Sequence, residues 1–161
     1  MDQPIKPIKR SKELVPLSKE HHGGLLAVWK IRQGLRNGTD HKIISRFIQW
    51  FWENDLQEHF KKEEGILSIH MPEGNELVQQ MFQEHEEIEA LVNINSMVTD
   101  EDIFKQIADQ LYNHIRFEER ILFPFAEKVI PAGEMEEIYK ALLVTRQKSK
   151  WEDEFWLMKK K

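Results

Sequence analysis

This 161-residue sequence predicts an all-α fold: an antiparallel up-down-up-down four-helix bundle with an additional C-terminal helix. Three observations point there. Apolar residues recur at helical spacing over four long stretches, and the strict alternation that marks strands is absent. Only 7 glycines and 6 prolines punctuate the chain, mainly where those stretches would end. The connections between stretches are short, which favours antiparallel neighbours.

The first helix is expected to start near Ser18, a residue suited to an N-cap, and to run through Leu35 to the break at Asn37-Gly38. Asp40 can cap the second, which carries Ile44, Ile48, Trp52, Leu56 and Ile66 before Met71-Pro72 stops it. The third should span about Glu73 to Val98, with Val78, Phe82, Ile88 and Val92 in register. Thr99 opens the fourth, where the Thr99–Asp102 spacing resembles a capping box. That helix should continue to about Val129, with Ile107, Leu111, Ile121, Leu122 and Phe125 on it and Pro124 expected to kink or end it. After Pro131-Ala132-Gly133 a fifth segment is expected from about Glu134 to Met158, with Ile138, Leu142 and Leu143 as its apolar face.

The length suits one domain over residues 1–161, with the bundle at about 17–130 and the C-terminal extension at about 134–158. Lys plus Arg is 23 and Asp plus Glu is 28, a formal charge of −5, which gives no electrostatic reason to expect nucleic acid. The basic run Lys159, Lys160, Lys161 reads as a solvated tail. Cysteine is absent, which excludes disulfides, thiolate metal ligands and a Cys nucleophile. No stretch approaches the roughly 20 apolar residues of a membrane span, and residues 1–16 lack a secretory pattern. No membrane is expected as a partner, and the expected location is cytoplasmic.

What recurs is a chemical spacing. Every long helix carries histidine: His21 and His22, His59, His85 and His114. On three helices a glutamate follows four residues later, at Glu63, Glu89 and Glu118. An i,i+4 pair shares one helix face. Around His59, His85 and His114 that face is otherwise apolar, so these groups stand where core residues belong. A buried carboxylate costs several kcal/mol unless it is paired or bound to a cation.

The heights agree as well. His59 lies 12 residues before Met71 and His85 lies 13 after Pro72; His85 lies 14 before Thr99 and His114 lies 15 after it. His22 lies 15 before Asn37 and His59 lies 19 after Asp40. Mismatches this small amount to about 1.5–6 Å along antiparallel helices. Four imidazoles and at least two carboxylates should therefore meet in one layer. Imidazole and carboxylate without thiolate suit a first-row metal such as iron better than a structural zinc site, although zinc is the rival. A ferritin-like site would require Glu-x-x-His pairs, and none is present.

His22 is preferred to His21 because Leu25, Leu26 and Trp29 extend its stripe, whereas His21 meets Gly24. The expected metal ligands are His22, His59, Glu63, His85, His114 and Glu118. Glu89 is open between a third-helix ligand, a partner to a histidine N–H, and a carboxylate near an open position. His70, at a helix end, is read as capping or surface, and His41 as solvated. Trp151, Phe155 and Trp156 either cover the bundle or form a surface for a protein partner or second copy.

These residues resemble the hemerythrin-like, or HHE cation-binding, family. The match lies in His22, in His59-Phe-Lys-Lys-Glu63, in His85 and in His114-Ile-Arg-Phe-Glu118, and it spans about residues 17–130. The stretch His114–Pro124 is especially similar to the family's fourth-helix signature. The resemblance implies a non-heme centre of two iron ions, oxo- or hydroxo-bridged when oxidised, in which the two glutamates bridge. Oxygen carriers of this family typically place a second histidine where this chain has Glu89, and a bridging aspartate where it has Glu118. Reversible oxygen transport is thereby put in doubt.

The leading functional expectation is a di-iron protein that binds a small ligand, oxygen or nitric oxide, for sensing, scavenging or iron handling. Two alternatives stand beside it: a di-iron oxidoreductase or iron donor for cluster repair, and a structural bundle with a zinc or vestigial site. No further acid–base constellation or cofactor motif favours an enzyme.

Overall fold

The computed structural model describes residues 9–144 and 149–157, and all its regular elements are helical. Helix α1 spans Val15–Arg36 behind a short 3-10 turn, Lys12–Leu14. It starts earlier than Ser18 because Pro16 sits in its first turn, where a missing N–H costs nothing. Ser18 instead donates its hydroxyl to Glu119, 2.7 Å away. Gly38 takes the left-handed turn at φ 67°, and Asp40 caps the next helix by accepting from the Lys42 N–H.

Helix α2, residues 41–70, is continuous but not regular. It runs through His41–Phe51, a π turn at Trp52–Leu56, an α turn at Gln57–Lys62, a second π turn at Glu63–Leu67 and a 3-10 turn at Ser68–His70. Met71 is extended, as the residue before a proline prefers. Gly74 turns at φ 71°, so α3 begins later than Glu73, at Glu76–Met97, with the Asn75 side chain accepting from the N–H groups of Leu77 and Val78.

Helix α4, residues 101–129, comprises Glu101–Phe117, a π turn at Glu118–Leu122 and Phe123–Val129. Asp100 rather than Thr99 is its cap, accepting from the Asp102 N–H. Pro124 neither ends the helix nor breaks it. The π turn just before it calls for a donor at position 124 to reach the Glu119 carbonyl, and proline has none. Arg10 supplies that donor, hydrogen-bonding the Glu119 carbonyl through its guanidinium. The π turn also shifts the register: Leu122 is buried, whereas Ile121 is 51% exposed. On α3 the core position is Met81, and Phe82 lies at the surface.

Helix α5 spans only Ala132–Leu142, not Glu134 to Met158. Its Met135, Ile138 and Leu142 close one end of the bundle, over Leu14, Leu17, Leu67 and Phe123. Leu143, expected on the apolar face of this helix, is exposed, as is Val144. Residues 149–157 return as an irregular strap over the other end. Phe155 is buried there, so close to α1 that a β-carbon at Gly34 would lie 2.7 Å from its ring. Trp151 and Trp156 pack with it on Phe47, so the C-terminal aromatics cover the bundle. Met158 and the tail Lys159–Lys161 lie outside the described residues.

The four long helices thus enclose two apolar clusters. One gathers Ile31, Ile44, Phe47, Ile88, Phe104 and Leu111 near the strap. The other is the cluster under α5. Between them lies a layer of buried polar groups. No helix among the described residues is long and apolar enough to cross a membrane.

Candidate metal centre

The layer consists of His21 from α1, His59 and Glu63 from α2, His85 from α3, and His114 and Glu118 from α4, all at most 5% exposed. Both glutamates open π turns. A π turn widens the helix by one residue and is a recurrent device at functional sites. Here it carries each carboxylate inward from the turn after its histidine.

The two carboxylates lie at the centre and the imidazoles surround them. His21 Nε2 is 2.9 Å from Glu118 Oε1 and 3.9 Å from Glu63 Oε2. His59 Nε2 is 3.3 Å from Glu63 Oε1 and 3.9 Å from Glu118 Oε1. His85 Nε2 is 3.1 Å from Glu63 Oε1 and 3.7 Å from Glu118 Oε2, and His114 Nε2 is 3.2 Å from Glu118 Oε1. Two four-residue groups result, each with inward atoms within 4.8 Å of one another: His21, His59, Glu63, Glu118, and Glu63, His85, His114, Glu118. Both glutamates belong to both groups.

Sequence reasoning missed what lies behind the histidines. Each Nδ1 faces a carboxylate on the preceding helix: His59 that of Glu20 on α1 at 3.0 Å, His85 that of Glu64 on α2 at 2.7 Å, and His114 that of Glu84 on α3 at 2.7 Å. The ring closes with His21 and Glu119 on α4 at 2.9 Å. Each Nδ1–H donates outward, so each Nε2 faces the centre, the orientation that metal-binding imidazoles need. The signal was present in the sequence. An acidic residue adjoins His21, Glu63, His85 and Glu118, one step around the helix from the inner face.

His22 is not in the layer. It is exposed, as are Leu26 and Trp29 on its stripe, whereas His21 shares a buried stripe with Leu17, Gly24, Ala27, Val28 and Ile31. The α1 contribution is therefore corrected from His22 to His21. The cause is close helix packing: a β-carbon at Gly24 would lie 2.8 Å from Ile115 on α4, so the buried face of α1 carries small residues. Glu89 is exposed and takes no part in the layer. His70 pairs with Glu134 on α5 at 2.9 Å, and His41 is exposed near Glu101.

Aromatic rings fix two imidazoles. Phe60 stacks on His85 at 3.8 Å, and Phe123 stacks on His21 at 5.3 Å. Burial opposes charge on the four imidazoles of the layer, yet the carboxylates win. The nearby carboxylates of Glu118 and Glu63 push His85 up to about 10, and the charge of Glu118 pushes His114 up to about 9. His59 is raised well above its ordinary value and His21 is raised, each against its burial. Burial alone would raise Glu118, but His114, His21 and His59 hold it well below the carboxylate range.

Even so, the hydrogen bonding is incomplete. His59 Nε2, His114 Nε2, Glu63 Oε2 and Glu118 Oε2 are buried without a hydrogen-bond partner, and all four belong to the inner layer. Buried polar atoms are rarely left so, and this concentration is what a bound cation resolves. Four nitrogens and two carboxylates with no sulfur fit a pair of first-row metal ions. On the strap side a cavity of about 330 Å³ reaches His21, His59 and His114 from the groove between α1 and α2.

A four-helix bundle with two groups of imidazole and carboxylate sharing both carboxylates defines a class of helical cation-binding proteins. The chain belongs to the hemerythrin HHE cation-binding domain family, whose model matches residues 14–126. No curated protein and no solved structure gives a significant match.

Proposed function

We propose that the protein holds two iron ions and binds a small diatomic ligand, oxygen or nitric oxide, for sensing, scavenging or iron handling. His21 and His59 would hold one ion and His85 and His114 the other, with Glu63 and Glu118 shared between them. The observation that carries this reading is the set of four orphaned inner atoms, on α2 and α4, within one buried layer of imidazoles and carboxylates from four helices. Each ion would receive two nitrogens and two carboxylate oxygens, fewer than the roughly six ligands an octahedral ion takes. Iron bound there supplies open coordination positions and electrons for a diatomic ligand.

The protein's own share is orientation and exclusion of water. Glu20, Glu64, Glu84 and Glu119 hold the imidazoles through Nδ1, and the two apolar clusters keep bulk solvent from the layer. The test is anaerobic reconstitution with ferrous iron, metal analysis, and optical spectra before and after oxygen or nitric oxide is added. Two irons per chain and a new ligand-dependent absorption band are expected. Zinc, or no metal, in protein purified without added metal and refusing iron would sink the reading.

A further inference from the structure

The cavity beside the layer is far larger than a diatomic ligand needs. At about 330 Å³ it has room for roughly ten water-sized groups, and it falls in the range of organic-ligand pockets between bundle helices. Its walls are apolar, formed by Ala27, Phe47, Phe51, Leu56, Leu111 and Ile115. Its inner end is formed by His21, His59 and His114. Lys19, Lys30 and Asp55 also line it, with the Lys30 ammonium over the Trp156 ring, and the carboxylate of Glu20 on the same wall is already engaged by His59 and Lys62. Gly23 borders it on α1, and a β-carbon there would meet nothing within 4 Å.

From this we infer that the cavity binds an organic carboxylate with a short apolar tail. The tail lies along the α1–α2 wall, and the carboxylate is directed to the His21–His59 end. The inference rests on the two-cation reading above, because the carboxylate needs a cation with an open position at that end. It deepens that reading by naming the class of molecule that shares the site with a diatomic ligand. The apolar wall selects the tail, and the cationic end selects the head.

Octanoate, acetate and octanol separate these contributions. Metal-loaded protein of measured metal content is titrated calorimetrically with each. Octanoate should bind at least tenfold more tightly than acetate, which lacks the tail, and than octanol, which lacks the charge. In Gly23→Phe the new ring enters the open space, and octanoate affinity should fall at least tenfold with metal content and acetate affinity unchanged. Gly23→Leu, a smaller filling that adds helix propensity, should give an intermediate loss. Octanoate binding no tighter than acetate, or unchanged in both variants while two ions are retained, overturns the inference and leaves the metal centre intact. Failure to retain any metal overturns the two-cation reading and the carboxylate assignment with it, and metal analysis reads that outcome independently of the titration.

Discussion

The two halves of the metal layer have the same composition and different surroundings. Each offers two imidazoles and shares Glu63 and Glu118, and each imidazole is backed by a carboxylate from the preceding helix. The His21–His59 half opens on the α1–α2 cavity, through both of its histidines. In the other half His114 reaches that cavity but His85 does not, because Phe60 stacks flat against its ring. Equal donor sets imply similar hold on a cation, whereas unequal access implies that exchange with outside molecules concentrates at one half. On the two-cation reading, affinity would be set by the ring of glutamates and access by the space between two helices.

The largest effect should come from what the halves share. Glu118→Ala removes a carboxylate from both groups and leaves His114 and His21 without their main charge partner. Metal content should drop from two ions per chain to fewer than about one, with affinity falling by more than roughly 100-fold. Retention of both ions would show that the carboxylate is not shared.

Next, the halves can be separated. His21→Ala and His85→Ala should each lower metal content by about one ion per chain. Only His21→Ala should also abolish the rapid spectral response to oxygen or nitric oxide, since it disables the accessible half. His22→Ala should leave metal content and response unchanged. Equal loss of response in His21→Ala and His85→Ala would break the proposed division of labour.

That last contrast marks the limit of what the sequence disclosed. The four helices, and the convergence of His59, Glu63, His85, His114 and Glu118, were readable because i,i+4 spacing and matched distances to the turns constrain both face and height. On α1 the same reasoning had to choose between adjacent residues, about 100° apart around the helix, and side-chain size misled it. Where helices approach closely the inner face carries Gly24, Ala27 and Val28, and bulky Leu26 and Trp29 stay outside. The C-terminus misled in a similar way. A helix was expected to run to about Met158 with Leu143 on its apolar face, but it ends at Leu142, Leu143 is exposed, and Phe155 reaches the core through the gap at Gly34. The π turns left no sequence signal beyond Pro124, and they move Ile121 off the stripe that α-helical periodicity assigned to it.

A smaller effect is expected from the carboxylates behind the imidazoles. Glu20→Gln and Glu84→Gln each keep a hydrogen-bond acceptor but remove the charge, and each should weaken metal binding by about 10–100-fold. Glu20→Gln should act on the ion held by His59, and Glu84→Gln on the ion held by His114. Stepwise metal titration monitored by calorimetry would show one weakened step in each variant. Two weakened steps in either variant would mean that the halves are coupled more tightly than their separate partners suggest.

The mildest test uses pH on the metal-free protein and probes what the halves have in common. Histidines whose folded values are raised contribute stability that is complete below their ordinary value near 6.5. That contribution fades as pH climbs through about 9 for His114 and about 10 for His85. Carboxylates held low act oppositely. Glu118, Glu119 and Glu20 contribute above about 4.5, and the share of Glu20 is lost only as pH falls toward about 2. Metal-free protein should therefore have its highest Tm between about pH 5 and 6.5, and should lose several degrees by about pH 9.5. A bound cation takes the place of the inner proton on each imidazole, so the metal-loaded protein should keep its Tm across the alkaline range and weaken in acid. If the metal-free Tm stays level from pH 6.5 to 9.5, the imidazoles are not charged partners of Glu63 and Glu118, and the layer must be held by packing in both halves alike.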